Sequence, residues 1–476
     1  MSTSIVKCRT QAQITPLGVD CETPMFSWQM AASRTGAKQS AYRIIVSKDK
    51  TMTPIIWDNN IVKSYIQHTA LTADCTKLEP STRYYWKVFV WDEENMMHES
   101  EVTWFETGLM GKDASVWNNA QWIGSPKQTT NTACLYSYQM NVDFKTDIGN
   151  KAGIVLSARN KDNYVLFDVD MDNRTLMIYE YCDNAWDGST KEGHIPTVTI
   201  LGSKVGYIIS KDAVSEGLEH DWNKISITVN NRELSVSINN VTIIQKEADL
   251  MPNAGFFVPR RGCLFSIGFK QLGSTAYYDN LVISDPKTNT VFQNESFSDE
   301  SGIFSVLGSC NDGILTVKNQ FELACPVPAI NLLGTFHANP SKKIASARLY
   351  ATARGSYRVK VNGIDADGSF FAPGFTDYRL RIFYQTYDVT NLLHEGENQL
   401  LATVGKGYYN GYCGYSGPMK YGEQNSFMGR MIVTYTDGSK DELVTDNSWL
   451  FTDKGAVVDS DYLDGENYDA RLLPKD

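Results

Sequence analysis

Strict alternation governs residues 345–361. Ala347, Leu349, Ala351 and Ala353 alternate with polar or long side chains, and beyond Gly355 the pattern resumes at Tyr357, Val359 and Val361. Successive side chains of a strand point to opposite faces, so a period of two over this length predicts two strands, each with one buried face. Asn362-Gly363 supplies the positive-φ pair of a tight turn. A loop punctuated by Gly and Pro, Ser369 to Asp377, leads into a further predicted strand rich in Ile, Phe and Tyr. A chain written this way folds as an antiparallel β-sandwich.

The same pattern runs through the whole sequence and predicts an all-β protein. A chain of 476 residues is too long for one core and is read as three consecutive β-sandwich domains. In 1–110, the runs Phe26-Ser27-Trp28, Tyr42 to Ser47, Tyr84 to Trp91 and Val102 to Phe105 recur at the spacing of a fibronectin type III-like sandwich. In 119–286, Ala152 to Ser157, Tyr164 to Val169, Thr175 to Tyr181 and Trp222 to Val229 are strands separated by Asn, Asp and Gly turns. This middle pattern resembles a laminin-G or concanavalin-like jelly roll. The third domain, 287–476, starts with a polar returning connection, Lys287 to Pro328, and continues as a jelly-roll-like sandwich containing the opening stretch.

Composition narrows the function classes. The net charge is −11, without a basic stripe, which argues against nucleic acid as the main partner. No apolar run approaches the ~18 residues of a membrane span. Nine Cys, an odd number without Cys-x-x-Cys, argue against a zinc site or a dense disulfide framework. Strings for P-loops, HExxH metal sites and GxSxG nucleophiles are absent.

Several ordered segments resemble the bacterial α-L-rhamnosidases, glycoside hydrolase family 78. They are Ala347 to Tyr350, Tyr357 to Gly363, Ala372 to Tyr378 and Tyr384 to Thr390. Pro16 to Asp20, Phe26-Ser27-Trp28, Tyr85 to Val88, Trp117 to Gly124 and Asp464 to Arg471 extend the likeness. The resemblance implies a non-catalytic N-terminal half, serving as scaffold and carbohydrate-binding region. In the family, an (α/α)6 barrel then removes terminal α-L-rhamnose by an inverting mechanism that uses two carboxyl groups. No position here matches those two carboxyls, so no catalytic residue is assigned. The implied partners are a rhamnose-containing glycan and the C-terminal catalytic domain, with no redox or nucleotide cofactor. The family implies a periplasmic or secreted location. Met1-Ser-Thr-Ser lacks the basic stretch and apolar core of a leader, so a cytoplasmic location stays open.

Candidate sites fall in loops. Gly405 to Pro418 places Tyr408, Tyr409, Tyr412 and Tyr415 among glycines and resembles a Gly-Trp-Tyr-x-Gly element of the rhamnosidases. Such rings can stack on a sugar, but packing against a neighbouring domain is the better reading. Asp377 and Tyr378 join this candidate carbohydrate site. In the middle domain, Trp186 between Asp183 and Asp187 suits a sugar's apolar face and hydroxyls. A solvated loop with a packed Trp is the plainer reading there. Some family members have a calcium-dependent rhamnose-binding module, and Asp365 and Asp367 are the calcium candidates. An Asp-x-Asp-Gly string also makes plain turns, and Arg379 and Arg381 nearby disfavour a cation. Asp168, Asp170 and Asp172 are read as the exposed face of an edge strand rather than a metal site. The alternative function is a stand-alone glycan-binding or adhesive β-sandwich protein.

Overall fold

The computed structural model describes residues 3–72, 77–111, 113–124, 137–147, 149–160, 163–182, 197–230, 233–247, 266–297, 310–319, 321–323, 328–413, 420–422, 424–463 and 465–473. The fold is all-β. Among the described residues the single α-helix is one turn, Gly407–Asn410.

Three separate cores organise the strands. In the first unit, Gln39–Ser47 and Arg83–Asp92 are central strands of one sheet, and Thr3–Thr10 pairs with Met25–Ala32 in the other. Arg83–Asp92 alternates buried and half-buried residues without a break, so Tyr84, Trp86, Val88 and Val90 enter the core. Trp86 packs on Phe26 with ring centroids 4.7 Å apart, and its Nε1 donates to Thr10 Oγ1 at 3.0 Å. The indole is thus buried with its one polar atom satisfied.

The middle unit is a sandwich of an eight-stranded and a seven-stranded sheet. Phe144, Phe167, Phe269 and Tyr278 fill its core. The strands after Pro286 stay with this sandwich, where the sequence predicts a polar connection. Val291–Glu295 and Ile314–Lys318 both pair with Thr275–Ser284, and Phe321–Leu323 pairs with Ser266–Lys270. Such short strands are hard to tell from loops by pattern alone. Asn163–Asp170 is an interior strand and not an edge: it pairs with Lys151–Asn160 on one side and Thr175–Cys182 on the other. Asp168 and Asp170 share Lys151 of the neighbouring strand, at 3.7 and 3.2 Å.

The third unit has two five-stranded sheets. One carries Ile344–Arg354 between Ser426–Tyr435 and Gln385–Asp388, and the other carries Ser356–Val361 beside Gly396–Gly405. Asn362 (φ 50°) and Gly363 (φ 80°) make the expected two-residue turn into Ile364–Asp365. The strand predicted after the loop is shorter than its composition suggests. It spans only Gln385–Asp388, because Leu380 and Arg381 turn back onto the Asp377 carbonyl.

The opening stretch departs from its expected single buried face. Ala347, Leu349, Ala351 and Ala353 do enter the sandwich core. Their alternates are also buried: Arg348 is 8% exposed, Tyr350 0% and Thr352 3%. Tyr350 belongs to a small second cluster with Leu109, Trp117, Met428 and Ile432, formed where the first unit meets the third. Across that junction Arg348 meets Glu106, Tyr350 Oη donates to Ser81 Oγ at 2.8 Å, and the Leu109 N–H donates to Tyr384 Oη at 2.8 Å.

The middle unit is spliced into the third. Ile123–Gly124 is already an edge strand of the third unit's sheet, paired with Phe427 and Ser426. The chain then leaves for the middle unit and returns at Ile330–Ala338. Both splice ends lie against one residue. Asn425 Nδ2 donates to the Pro328 carbonyl at 3.3 Å, and a Cβ on Gly124 would strike the Asn425 carbonyl.

Candidate functional site

Loop chemistry on the third unit gathers the predicted tyrosines. The segment 366–384 crosses in front of the turn Gly407–Asn410. Tyr408 packs edge-on against Phe375 at 5.0 Å and against Tyr462 at 4.6 Å. Tyr409 meets Tyr378 at 5.7 Å, and Tyr421 meets Tyr378 from another side at 5.0 Å. Gly422 fits under the Tyr409 ring, where any Cβ would collide with it. The Tyr378 hydroxyl donates to the Gly374 carbonyl at 2.9 Å, and burial pushes its pKa above that of an ordinary tyrosine. Phe371 reaches Tyr462 at 5.2 Å, so one ladder of rings runs from Phe370 to Tyr421.

The other predicted residues divide. Asp377 binds Arg379 through Oδ1 at 2.9 Å and Oδ2 at 2.6 Å, and these bonds lower its pKa to about 2. Tyr412 is positioned by its backbone N–H, which donates to Asp461 Oδ2 at 2.7 Å. Tyr415 and Trp186, with Asp183 and Asp187, lie outside the described residues. Asp365 and Asp367 do not converge on a cation position. Asp365 Oδ2 accepts from Arg358 Nη2 at 2.9 Å, and Asp367 Oδ1 closes a turn onto the Ser369 N–H and hydroxyl. Among the described residues, no group of three His, Cys, Asp or Glu side chains is placed to hold a metal ion.

Sequence reasoning missed Phe370, Phe371, Phe375, Tyr421 and Tyr462 as members of this surface. Phe370-Phe371 carried a signal: two adjacent aromatic residues in a turn-rich segment cannot both enter a core. Tyr462 carried none, since its place depends on how the hairpin Val457–Asp461 and Gly465–Tyr468 lies against Gly405.

Residues 342–476 match the α-L-rhamnosidase N-terminal domain, and residues 5–111 match a Rha78A-like N-terminal immunoglobulin domain. An α-L-rhamnosidase of Streptomyces avermitilis is 32% identical over 464 residues, covering 96% of this chain. The two flanking units are of the α-L-rhamnosidase N-terminal type. It spans 41% of the length of that Streptomyces relative. An α-L-rhamnosidase of Formosa agariphila is 38% identical over 133 residues, 28% of this chain and 14% of the relative. The crystal structure of the Streptomyces avermitilis α-L-rhamnosidase complexed with L-rhamnose shares the fold. Its TM-score is 0.56 at 24% identity, covering 100% of this chain and 43% of that one. The two domain matches lie on the flanking units, while the Streptomyces relative aligns across the middle unit as well, and the aromatic ladder lies wholly within residues 342–476. Among the described residues no helix is long and apolar enough to cross a membrane.

Proposed function

We propose that this chain is the non-catalytic N-terminal half of an α-L-rhamnosidase, a glycosidase that removes terminal α-L-rhamnose from glycans. It braces a catalytic domain and shapes the approach to it, in a periplasmic or secreted setting. The observation that carries this reading is the joint match of both flanking units to rhamnosidase N-terminal domains. An inverting glycosidase needs two carboxyl groups facing each other across roughly 6.5–9.5 Å with room for water. Among the buried carboxyls of the described residues, Glu106 is held by Arg83 and Arg348, and Asp170 by Lys151 and Asn173. The test is hydrolysis of an aryl α-L-rhamnoside by the 476-residue chain. The expected rate is that of a matched blank, and turnover above it would sink the proposal.

A second reading, a stand-alone glycan-binding protein, draws on the open aromatic surface of the third unit. The reading frame past Asp476 separates the two, and calorimetric titration with L-rhamnose and rhamnosylated oligosaccharides, with and without calcium, tests whether the chain is pure scaffold. A saturable response assigns carbohydrate binding to the chain itself.

A further inference from the structure

A sugar and a protein ask different things of an aromatic surface. A sugar ring lies on a flat aromatic face left open to it. A protein docks on an uneven apolar centre rimmed by polar groups, enriched in aromatic residues and Arg. The ladder on the third unit follows the second pattern. Interplanar angles of 74° for Phe371–Tyr462, 63° for Tyr408–Tyr462 and 67° for Phe375–Tyr408 turn each ring edge-on to the next. The surface they present is ridged.

Its size points the same way. Phe370, Phe371 and Phe375 are 65%, 67% and 55% exposed. At roughly 200 Å² per ring, they leave roughly 400 Å² of apolar surface in water, the scale of the largest patch on a typical monomer. Charged side chains of both signs rim it, Arg358 paired with Asp365 and Arg379 with Asp377. The Arg358 guanidinium sits 5.1 Å from the Phe370 centroid, while Arg379 and Lys420 sit 5.8 and 5.3 Å from Tyr421.

The geometry points to a docking surface for a folded protein domain with an apolar centre and a polar edge. Its occupant is the part of an α-L-rhamnosidase that lies outside the matched length, an assignment that rests on the function proposed above. The chain spans 41% of the Streptomyces relative, so most of that relative's length remains to supply the facing surface.

Hydroxyl-radical footprinting tests this on the polypeptide read through its own gene past Asp476, beside the 476-residue chain. Phe370, Phe371 and Phe375 should be modified at least fivefold more slowly in the longer polypeptide. Tyr65, 81% exposed on the first unit, should not change. Phe371→Asp together with Phe375→Asp should restore fast modification of Phe370 in the longer polypeptide. The same pair should lower the melting temperature of the 476-residue chain only slightly, because both rings are more than half exposed. Equal rates in the two polypeptides would overturn the inference while leaving the proposed function standing. So would protection of the shorter chain by L-rhamnose, or protection that rises with its own concentration, which assigns the face to a second copy. A reading frame that stops at Asp476 removes the proposed function itself, and this assignment with it.

Discussion

Arg348→Met and Glu106→Gln, combined in a double-mutant cycle, should show that the two flanking units are one rigid support. Methionine keeps most of the arginine stem and removes its charge. In the native protein Glu106 Oε1 accepts from Arg348 Nε at 2.5 Å, and Oε2 accepts from Arg348 Nη2 at 3.1 Å and Arg83 Nη2 at 3.0 Å. The Arg348 and Glu106 side chains are only 9% and 6% exposed. Removing one partner of a buried pair costs about 3–5 kcal/mol, because the other charge stays buried without compensation. Arg83, a third exposed, still neutralises part of Glu106, which places Arg348→Met near the low end, about 3 kcal/mol. Glu106→Gln leaves Arg348 its 2.7 Å contact with Asp388 and should cost about 2 kcal/mol. The coupling energy should exceed about 1 kcal/mol, since the two residues share one network. A global midpoint is a poor readout for a chain with three cores. Native-state hydrogen exchange at the Leu109 N–H, whose acceptor Tyr384 lies across the same junction, reports the local opening. A loss of about 3 kcal/mol corresponds to roughly 100-fold faster exchange. Unchanged Leu109 exchange, or additivity of the two variants within about 0.5 kcal/mol, would refute the rigid junction.

Tyr357→Phe should cost roughly 1–3 kcal/mol in urea unfolding of the third unit, because its buried hydroxyl shares its one proton between the Ala351 carbonyl and Gln385 Oε1, each 2.8 Å away, and accepts from Tyr387. The Asp377 carboxyl should titrate near pH 2 by carbon-detected NMR, and Arg379→Ala should return it to about 4. With its pKa lowered in the folded state, Asp377 steadies its loop fully above about pH 4 and loses that contribution as pH falls through about 2. Replacing residues 125–327 with a short Gly/Ser linker should leave the flanking units folded, seen as unchanged NMR shifts at Arg348 and Tyr350. Collapse of those signals would show that the middle unit is needed to hold them.

Alternation told most of the fold. Arg83–Asp92 and Ser356–Val361 were readable because one face enters a core and the other meets water. Ile344–Arg354 was half readable for the same reason. Arg348 and Tyr350 look like solvent-facing alternates, and nothing local announces that Glu106 and Ser81 cover them from more than 240 residues away. The strands between 291 and 323 were missed because strands of two to five residues are too short to show a period and depend on their partners. At the candidate site, the tyrosines of 408–412 were found by their glycine-rich setting. Phe375 and Tyr462 belong with them only through tertiary packing, which the spacing of the sequence does not encode.

The splice at Asn425 sets the order in which the molecule can close. For the third sandwich to pair Ile123–Gly124 and Ile330–Ala338 with their neighbours, the chain must bring together ends about 200 residues apart. Loop closure costs about (3/2)RT ln n, so a flexible connection of that length costs about 3 kcal/mol more than one of about five residues. A middle unit that folds first turns most of that length, from Ser137 to Leu323, into a folded body and so shortens the flexible part of the loop. The spliced-in sandwich then acts as a clasp: it lowers the entropic barrier to folding of the unit that hosts it, without adding a contact to that unit's core.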